Sequence, residues 1–215
     1  MSLTPVTKSD FRQLLIEKRR RLSLNKKISI QLFQKIRFLL DLLQPKQLGV
    51  YVPIFGEPDF LLNLWHWSNL SETKLYLPAI VNGEIGYYPW NRSSEMRTDE
   101  LGILAPKDCT EGVIPDVILI PCVGHDFEGH RLGYGKGFFD RYLTRFPTVI
   151  SIGISFEKLN LSDNIFEKHD KKVHYVVTEK RVITIQKNEQ TRKSAHLKEQ
   201  DCVLKLCYSH VNQSS

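Results

Sequence analysis

A glycine-rich segment at residues 129–143 constrains the fold of this chain more than any other stretch. Its sequence, Gly-His-Arg-Leu-Gly-Tyr-Gly-Lys-Gly-Phe-Phe-Asp-Arg-Tyr-Leu, holds four glycines within nine positions. Glycine tolerates positive φ and lets the backbone approach a ligand closely. Residues 137–146 follow helical spacing, so the segment predicts a loop that feeds the N-terminus of a short helix. Such a helix N-terminus presents free backbone N–H groups and a partial positive charge, which suit a phosphate.

Charged side chains in the same segment favour phosphate binding over a plain structural turn. Arg131 and Lys136 add full positive charges, and Asp140 is a carboxylate that could hold a metal ion. The spacing G-x-G-x-G fits neither a Walker loop nor a dinucleotide fingerprint. The segment therefore predicts a phosphate site without identifying the ligand.

Strands alternate with helices along the rest of the chain. The apolar run 117–121 predicts a central parallel strand, and Asn82-Gly83 predicts a hairpin turn. Further strands are expected at 47–53, 74–81, 84–90, 148–154, 175–178 and 182–185. Helices are expected at 7–22, 23–43, 60–68 and 137–146, with Ser23 and Asp59 as caps of the second and third, and a loop at 91–116. The alternation predicts an α/β domain with a mostly parallel sheet over residues 1–186. Residues 187–215 are polar and are expected to form a flexible tail.

Composition and charge limit the classes of protein. The chain has 215 residues, of which 41% are hydrophobic and 25% charged, as in a soluble globular domain. No apolar run reaches the length of a membrane span, and residues 1–10 lack the apolar region of a signal peptide. Four cysteines without zinc or disulfide spacing favour the cytoplasm. The net charge of +6 permits a nucleotide, another polyanion or nucleic acid as partner.

Two other places in the sequence carry candidate ligand-binding charges. Lys8, Arg12 and Arg19 fall on one side of the first predicted helix, although a solvated basic face explains such a pattern as well. The run 18–21 is interpreted as solvated charge. Glu57 follows the first strand, at the edge of the sheet where open α/β folds bind ligands; the alternative is a carboxylate at a helix start.

The segment 126–143 resembles the signature of the 5-formyltetrahydrofolate cyclo-ligase family. The resemblance runs in order over about residues 7–186. Lys8 and Arg12 resemble the family's ATP-contacting pair, and Val52 and Glu57 resemble its folate-contacting positions. Three further segments resemble other conserved segments of the family: Gly102-Ile103-Leu104-Ala105-Pro106, His169-Asp170 and Tyr175-Val176-Val177-Thr178-Glu179.

This resemblance implies a three-layer Rossmann-like α/β fold of the NagB/RpiA/CoA-transferase type. It also implies that ATP and Mg2+ convert 5-formyltetrahydrofolate into 5,10-methenyltetrahydrofolate, ADP and phosphate. Carried over by position, the ATP contacts are Lys8, Arg12, Arg131, Leu132, Gly133, Tyr134, Gly135, Lys136, Gly137, Phe138 and Phe139. The folate contacts are Val52, Glu57 and Tyr134, the magnesium ligands are Asp140 and Asp170, and the catalytic residues are Arg131 and Lys136.

The implied chemistry agrees with these residue types. Phosphorylation of the formyl oxygen turns a poor leaving group into phosphate, and positioning and charge stabilisation drive such a transfer. Because the transfer needs no general base, His125, His130 and His169 are interpreted as structural. Many family members have a tyrosine directly before the aspartate, whereas this chain has Phe139, which lacks a phenolic hydroxyl.

The expected partners are small molecules, namely ATP, 5-formyltetrahydrofolate and its polyglutamates. Neither nucleic acid nor a membrane is expected, and a monomer is the simplest assembly. Two alternatives stay open. One is an ATP-independent sugar-phosphate isomerase or CoA-transferase-like enzyme, which would use Glu57 or Asp140 as base or nucleophile. The other is a nucleic-acid-binding protein, which the net charge of +6 permits.

Overall fold

A computed structural model describes residues 7–161, 165–167 and 170–185 of the chain. Within these ranges the helices are α1 (Lys8–Ser23), α2 (Lys26–Leu43), α3 (Leu61–Ser71) and α4 (Phe138–Arg145). The strands of the same ranges are β1 (Gln47–Gly49), β2 (Lys74–Val81), β3 (Glu84–Pro89), β4 (Met96–Thr98), β5 (Leu104–Pro106), β6 (Val117–Pro121), β7 (Gly124–His125), β8 (Arg131–Leu132), β9 (Ile150–Ile154), β10 (Tyr175–Val177) and β11 (Val182–Thr184). The predicted tail at 187–215 and His169 lie outside the described residues.

Seven of these strands form the main sheet of the described chain, in the order β11-β10-β9-β6-β1-β2-β3. The five strands from β10 to β2 run parallel, and β3 and β11 are antiparallel edges. When the five parallel strands (β1, β2, β6, β9 and β10) are renumbered 1 to 5 in chain order, their order across the sheet is 2-1-3-4-5. This is a doubly wound order, and the direction in which the chain adds strands reverses between β1 and β6. In such sheets the ligand crevice lies at the carboxyl ends of the strands beside this reversal.

Helices cover both faces of the sheet. On β6, Val117 and Leu119 pack into a core cluster that includes α2 and α3 residues. Ile118 and Ile120 pack into a second cluster with Tyr142 of α4 on the other face. Burial on both faces explains why β6 is continuously apolar in sequence. The predicted three-layer α/β fold with a mostly parallel sheet is thus confirmed. No helix in the described ranges is long and apolar enough to cross a bilayer.

Some local predictions were wrong. The expected loop at 91–116 contains the β4–β5 hairpin, which Asp99 stabilises. The Asp99 Oδ1 atom accepts hydrogen bonds from the backbone N–H groups of Leu101 (2.9 Å) and Ile103 (3.0 Å). Its Oδ2 atom accepts one from the N–H of Ile80 (3.1 Å), which joins the hairpin to β2. Apolar periodicity gives no sign of strands held in this way.

The helix caps also differ from expectation. Asn25, and not Ser23, caps α2, because its side chain accepts hydrogen bonds from two first-turn N–H groups. Phe60 occupies the N-cap position of α3, although Asp59 still accepts a hydrogen bond of 3.2 Å from the Leu61 N–H. Short polar side chains close to a helix start compete for the cap, and the chain path decides between them.

Burial of His125 on β7 predicts that the fold is sensitive to acid. Its Nδ1 lies 3.0 Å from Ser155 Oγ. Burial lowers the pKa of His125 to about 4, against the opposing influence of Glu157 and Asp126. In the unfolded chain the pKa is about 6.5, so on acidification the unfolded chain takes up the proton first. The free energy of unfolding should therefore decrease between about pH 6.5 and 4, by up to about 1.4 kcal/mol per pH unit.

Chemical denaturation at a series of pH values measures this dependence, with His125→Gln as the comparison. The variant should lose part of the pH slope. His174, whose pKa burial also lowers, should contribute to the slope that remains. An identical slope in both proteins would contradict the role of His125.

Candidate active site

A cleft of about 950 Å³ lies at the carboxyl ends of β1 and β6, beside the reversal of strand order. Every residue that the sequence predicts as a site residue lines it: Lys8, Arg12, Val52, Glu57, Arg131, Leu132, Gly133, Tyr134, Gly135, Lys136, Gly137, Phe138, Phe139, Asp140 and Asp170. An apolar wall from β2, the β4–β5 hairpin and β6 completes the lining. Side chains far apart in sequence thus meet at one place, and the cleft has both charged and apolar surfaces.

The glycine-rich segment presents backbone amides to this cleft. Gly135 and Gly137 have φ values of 88° and 67°, which L side chains rarely adopt. Gly137 is the N-cap of α4 and provides no side chain to satisfy the N–H groups of the first turn. A Cβ atom at Gly135 would lie only 3.2 Å from the Arg12 guanidinium. The geometry is therefore that of a helix N-terminus beside a cation, which suits a phosphate.

Helix α1 forms the facing wall of the cleft. The Arg12 Nε donates a hydrogen bond of 2.8 Å to the Gly133 carbonyl. The Lys8 Nζ lies 2.8 Å from Glu167 Oε1 and 3.1 Å from Asp170 Oδ2. Burial alone would lower the pKa of Lys8, but these ion pairs outweigh it and raise the pKa. Lys8 therefore stays charged at neutral pH, and Arg12 contacts the glycine-rich segment directly.

The two cations of the glycine-rich segment differ in availability. Arg131 is buried, and its guanidinium donates hydrogen bonds to the Lys171 carbonyl and to Asp140 Oδ1, the latter at 3.1 Å. Lys136 is exposed, and its ammonium group contacts no carboxylate in the described part of the chain. Arg131 thus fixes Asp140 in place, whereas Lys136 is available to an anionic ligand.

The two predicted magnesium ligands fit unequally. Asp140 engages Arg131 and the Lys171 N–H through Oδ1, and its Oδ2 has no hydrogen-bond partner among the described residues. Asp170 Oδ2 already contacts Lys8. Carboxylate oxygens are the donors that Mg2+ prefers, and one or two suffice when phosphates and water complete the shell. The residues present therefore fit a magnesium ion, with Asp140 as the better placed ligand.

The other end of the cleft contains a buried carboxylate. Glu57 is 5% exposed. Its Oε2 accepts a hydrogen bond of 2.9 Å from the Ile54 N–H, and its Oε1 accepts one of 2.8 Å from the Tyr134 hydroxyl. Burial raises the pKa of Glu57, and the nearby Arg19 charge opposes that rise. Glu57 is therefore held in one orientation, and its ionisation depends on the balance between burial and the Arg19 charge.

Sequence reasoning places Arg19 on the same side of α1 as Lys8 and Arg12 but leaves it out of the predicted site. The interpretation of the run 18–21 as solvated charge was wrong for this residue, because Arg19 is fully buried, while the other three are exposed. Its position gave a usable signal. Arg19 lies four residues after Leu15 and three before Leu22, on the apolar side of α1. An arginine on the apolar side of a helix needs buried hydrogen-bond acceptors, and those of Arg19 lie behind the cleft.

His125 and His130, near the cleft, contact other residues of the fold. His130 Nδ1 lies 2.6 Å from Asp126 Oδ2, and its ring stacks on Phe166 at 5.0 Å. His125 is buried against Ser155. Neither histidine is part of the cleft lining.

Fold and cleft together define an α/β protein with a cation-lined cleft at the switch point of a doubly wound sheet, where such folds bind ligands. The family model of 5-formyltetrahydrofolate cyclo-ligases matches residues 5–179. The chain belongs to the 5-formyltetrahydrofolate cyclo-ligase family and is an enzyme of that family.

Individual relatives support the same assignment. The 5-formyltetrahydrofolate cyclo-ligase of Mycolicibacterium smegmatis is 29% identical over 194 residues, which are 84% of this chain and 98% of that protein. That of Mycoplasma genitalium is 27% identical over 159 residues, covering 71% and 86%. The structure of Aquifex aeolicus 5,10-methenyltetrahydrofolate synthetase aligns with a TM-score of 0.72 at 29% identity, covering 84% of this chain and 94% of that one.

Proposed function

We propose that this chain uses ATP to convert 5-formyltetrahydrofolate into 5,10-methenyltetrahydrofolate, with release of ADP and phosphate. The family implies ATP as co-substrate. The observation that carries the proposal is that one cleft joins a cationic, amide-lined end to an end with a buried carboxylate. A reaction between a triphosphate and a folate needs these two environments side by side.

The triphosphate would lie between α1 and the glycine-rich segment. Lys8 and Arg12 approach from one wall, and Lys136 and the first-turn amides of α4 approach from the other. The apolar wall provided by β2 and the β4–β5 hairpin gives ring systems a surface to pack against. Opposed cations and amides fix a phosphate chain in orientation as well as in place.

The reaction then needs little covalent help from the protein. The terminal phosphoryl group passes from the departing ADP to the formyl oxygen. N10 then attacks the formyl carbon and loses its proton to solvent, and cleavage of the C–O bond releases the oxygen as phosphate. Lys136 would stabilise negative charge on the transferred group, and Arg131 would act with it while holding Asp140. Asp140, with Asp170, would hold Mg2+, which neutralises phosphate charge when bound.

Folate binding is assigned to Val52, Glu57 and Tyr134. Glu57→Gln keeps the size and shape of the side chain but removes its charge, so hydrogen bonds from folate N–H groups should weaken. We expect KM for 5-formyltetrahydrofolate to rise about 10- to 100-fold, with little change in KM for ATP. Steady-state kinetics with each substrate varied in turn measure the two values.

The exposed Glu17→Gln on α1 is the matched control and should behave as wild type. If Glu57→Gln keeps both the wild-type KM for folate and the wild-type kcat, the folate contact is refuted.

The decisive assay for the function is the near-ultraviolet absorbance of the methenyl product. Product should form only when ATP, Mg2+ and 5-formyltetrahydrofolate are all present. ADP release should likewise require the folate, which separates this reaction from an ATP-independent isomerase or CoA-transferase. Product formation without ATP, or none under any condition, would overturn the proposal.

Three further expectations accompany the proposed reaction. A cytoplasmic location agrees with Cys109 and Cys122, which are free thiols. A monomer and the absence of a nucleic-acid partner are also proposed. Salt-dependent binding to RNA would contradict the last of these.

A further inference from the structure

We propose that Arg19 is a positioning residue of the folate end of the cleft: it fixes the orientation and the negative charge of Glu57, directly and through Tyr134. This role rests on the proposed function, in which Glu57 contacts the folate. Arg19 is fully buried and does not belong to the cleft wall. Any influence it has on a ligand must therefore pass through its neighbours.

The contacts of Arg19 join three segments that form the folate end. Its Nη1 donates a hydrogen bond of 3.2 Å to the Cys122 carbonyl, just after β6. Its Nη2 donates one of 3.2 Å to the Phe55 carbonyl, in the turn after β1, and another to the Tyr134 hydroxyl in the glycine-rich segment. One guanidinium group thus holds together the backbone on both sides of the strand-order reversal.

A short polar chain leads from Arg19 to Glu57. The Tyr134 hydroxyl accepts from Arg19 Nη2 and therefore directs its own hydrogen toward Glu57 Oε1, at 2.8 Å. Arg19 Nη1 itself lies 3.7 Å from the same oxygen. Hydrogen bonds in such a chain polarise one another in a low-dielectric interior. The Glu57 carboxylate consequently faces a fixed donor and a fixed positive charge.

Other titratable groups near Glu57 do not replace this charge. Burial raises the pKa of the Cys122 thiol to about 12, and it raises the pKa of Tyr51 and Tyr134 as well, so all three are neutral near pH 7. Among the described residues, Arg19 is the cation that makes an ion pair with Glu57. Without it, a buried carboxylate takes up a proton and loses acceptor capacity.

The test uses Arg19→Gln and Arg19→Lys. Arg19→Gln should raise the Kd and KM for 5-formyltetrahydrofolate about 10- to 100-fold, with KM for ATP unchanged. Loss of the positive charge raises the pKa of Glu57, so the acid limb of kcat/KM for folate should move to higher pH. Arg19→Lys keeps the charge and should keep the acid limb near its wild-type position. The exposed neighbour Arg21→Gln should resemble wild type.

A double-substitution cycle guards against mere unfolding, because removal of one partner of a buried ion pair also destabilises a protein. In a Glu57→Gln background, Arg19→Gln should have little further effect on folate binding. Full additivity of the two changes would overturn the role of Arg19. Equal losses for ATP and folate would also overturn it, because they indicate that Arg19 is a general anchor of the helix.

Calorimetric binding of 5-formyltetrahydrofolate distinguishes failure of the proposed function from failure of the role of Arg19. A wild-type protein that binds no folate refutes the function and this role together, whereas equal binding by wild type and Arg19→Gln refutes this role alone.

Discussion

Replacement of Lys136 by alanine should lower kcat/KM for ATP by about 100-fold or more while the fold stays as stable as wild type. The side chain is exposed and contacts no carboxylate in the described part of the chain, so its removal costs no packing or ion pair. It lines the cleft and directly precedes Gly137, the N-cap of α4. Kinetics with ATP varied, together with a thermal unfolding curve, measure the two quantities.

Lys35→Ala is the matched control, since Lys35 is an exposed lysine on α2, outside the cleft lining. It should leave both activity and stability unchanged. Arg131→Ala is a poorer test, because Arg131 is buried and bonded to Asp140 and the Lys171 carbonyl. A Lys136→Ala protein with wild-type kinetics would show that the triphosphate does not bind as proposed.

Asp140→Asn should raise the Mg2+ concentration needed for half-maximal activity by about 100-fold. Asparagine preserves an oxygen acceptor for Arg131 and for the Lys171 N–H, so the glycine-rich segment should keep its structure. The substitution removes the negative charge that a hard cation requires. Activity measured across a magnesium titration, and Mn2+ binding by calorimetry in the presence of ADP, provide two separate readouts.

Asp108→Asn controls for loss of an exposed carboxylate outside the cleft and should not alter the magnesium requirement. Chelation by EDTA should stop turnover of the wild-type protein, and added Mg2+ should restore it. Activity that survives EDTA, or a magnesium requirement unchanged in Asp140→Asn, would remove Asp140 from the metal site.

Elements with strong local signals could be predicted from the sequence. The apolar run of β6, the Asn82-Gly83 turn and the glycines before α4 each restrict the backbone within a few residues. Resemblance to the family then identified residues from four separate segments, and all of them line one cleft. Their meeting follows from parallel strands that end at the same edge of a sheet.

Features that depend on contacts distant in sequence could not be predicted so well. The β4–β5 hairpin has short strands, and side-chain bonds from Asp99 join it to β2. The burial of Arg19 depends on how α1 packs against the rest of the fold. Its neighbours in sequence are also charged, so the sequence of the run alone predicts a solvated surface. For this residue the helical phase relative to Leu15 and Leu22 was informative, whereas the charge of the run was not.

Lys8, Arg12 and Arg19 lie on one helix, so in the proposed complex α1 would support both substrates. At 1.5 Å per residue, Lys8 and Arg19 lie about 16.5 Å apart along the axis, which is enough to reach from the proposed nucleotide end to the proposed folate end. A single residue inserted between Arg12 and Arg19 would turn the later side chain by about 100° away from its pocket. The proposed folate end would then lose its Arg19 contacts while Lys8 and Arg12 kept their places, so the spacing between Arg12 and Arg19 sets the two ends of the proposed site relative to each other.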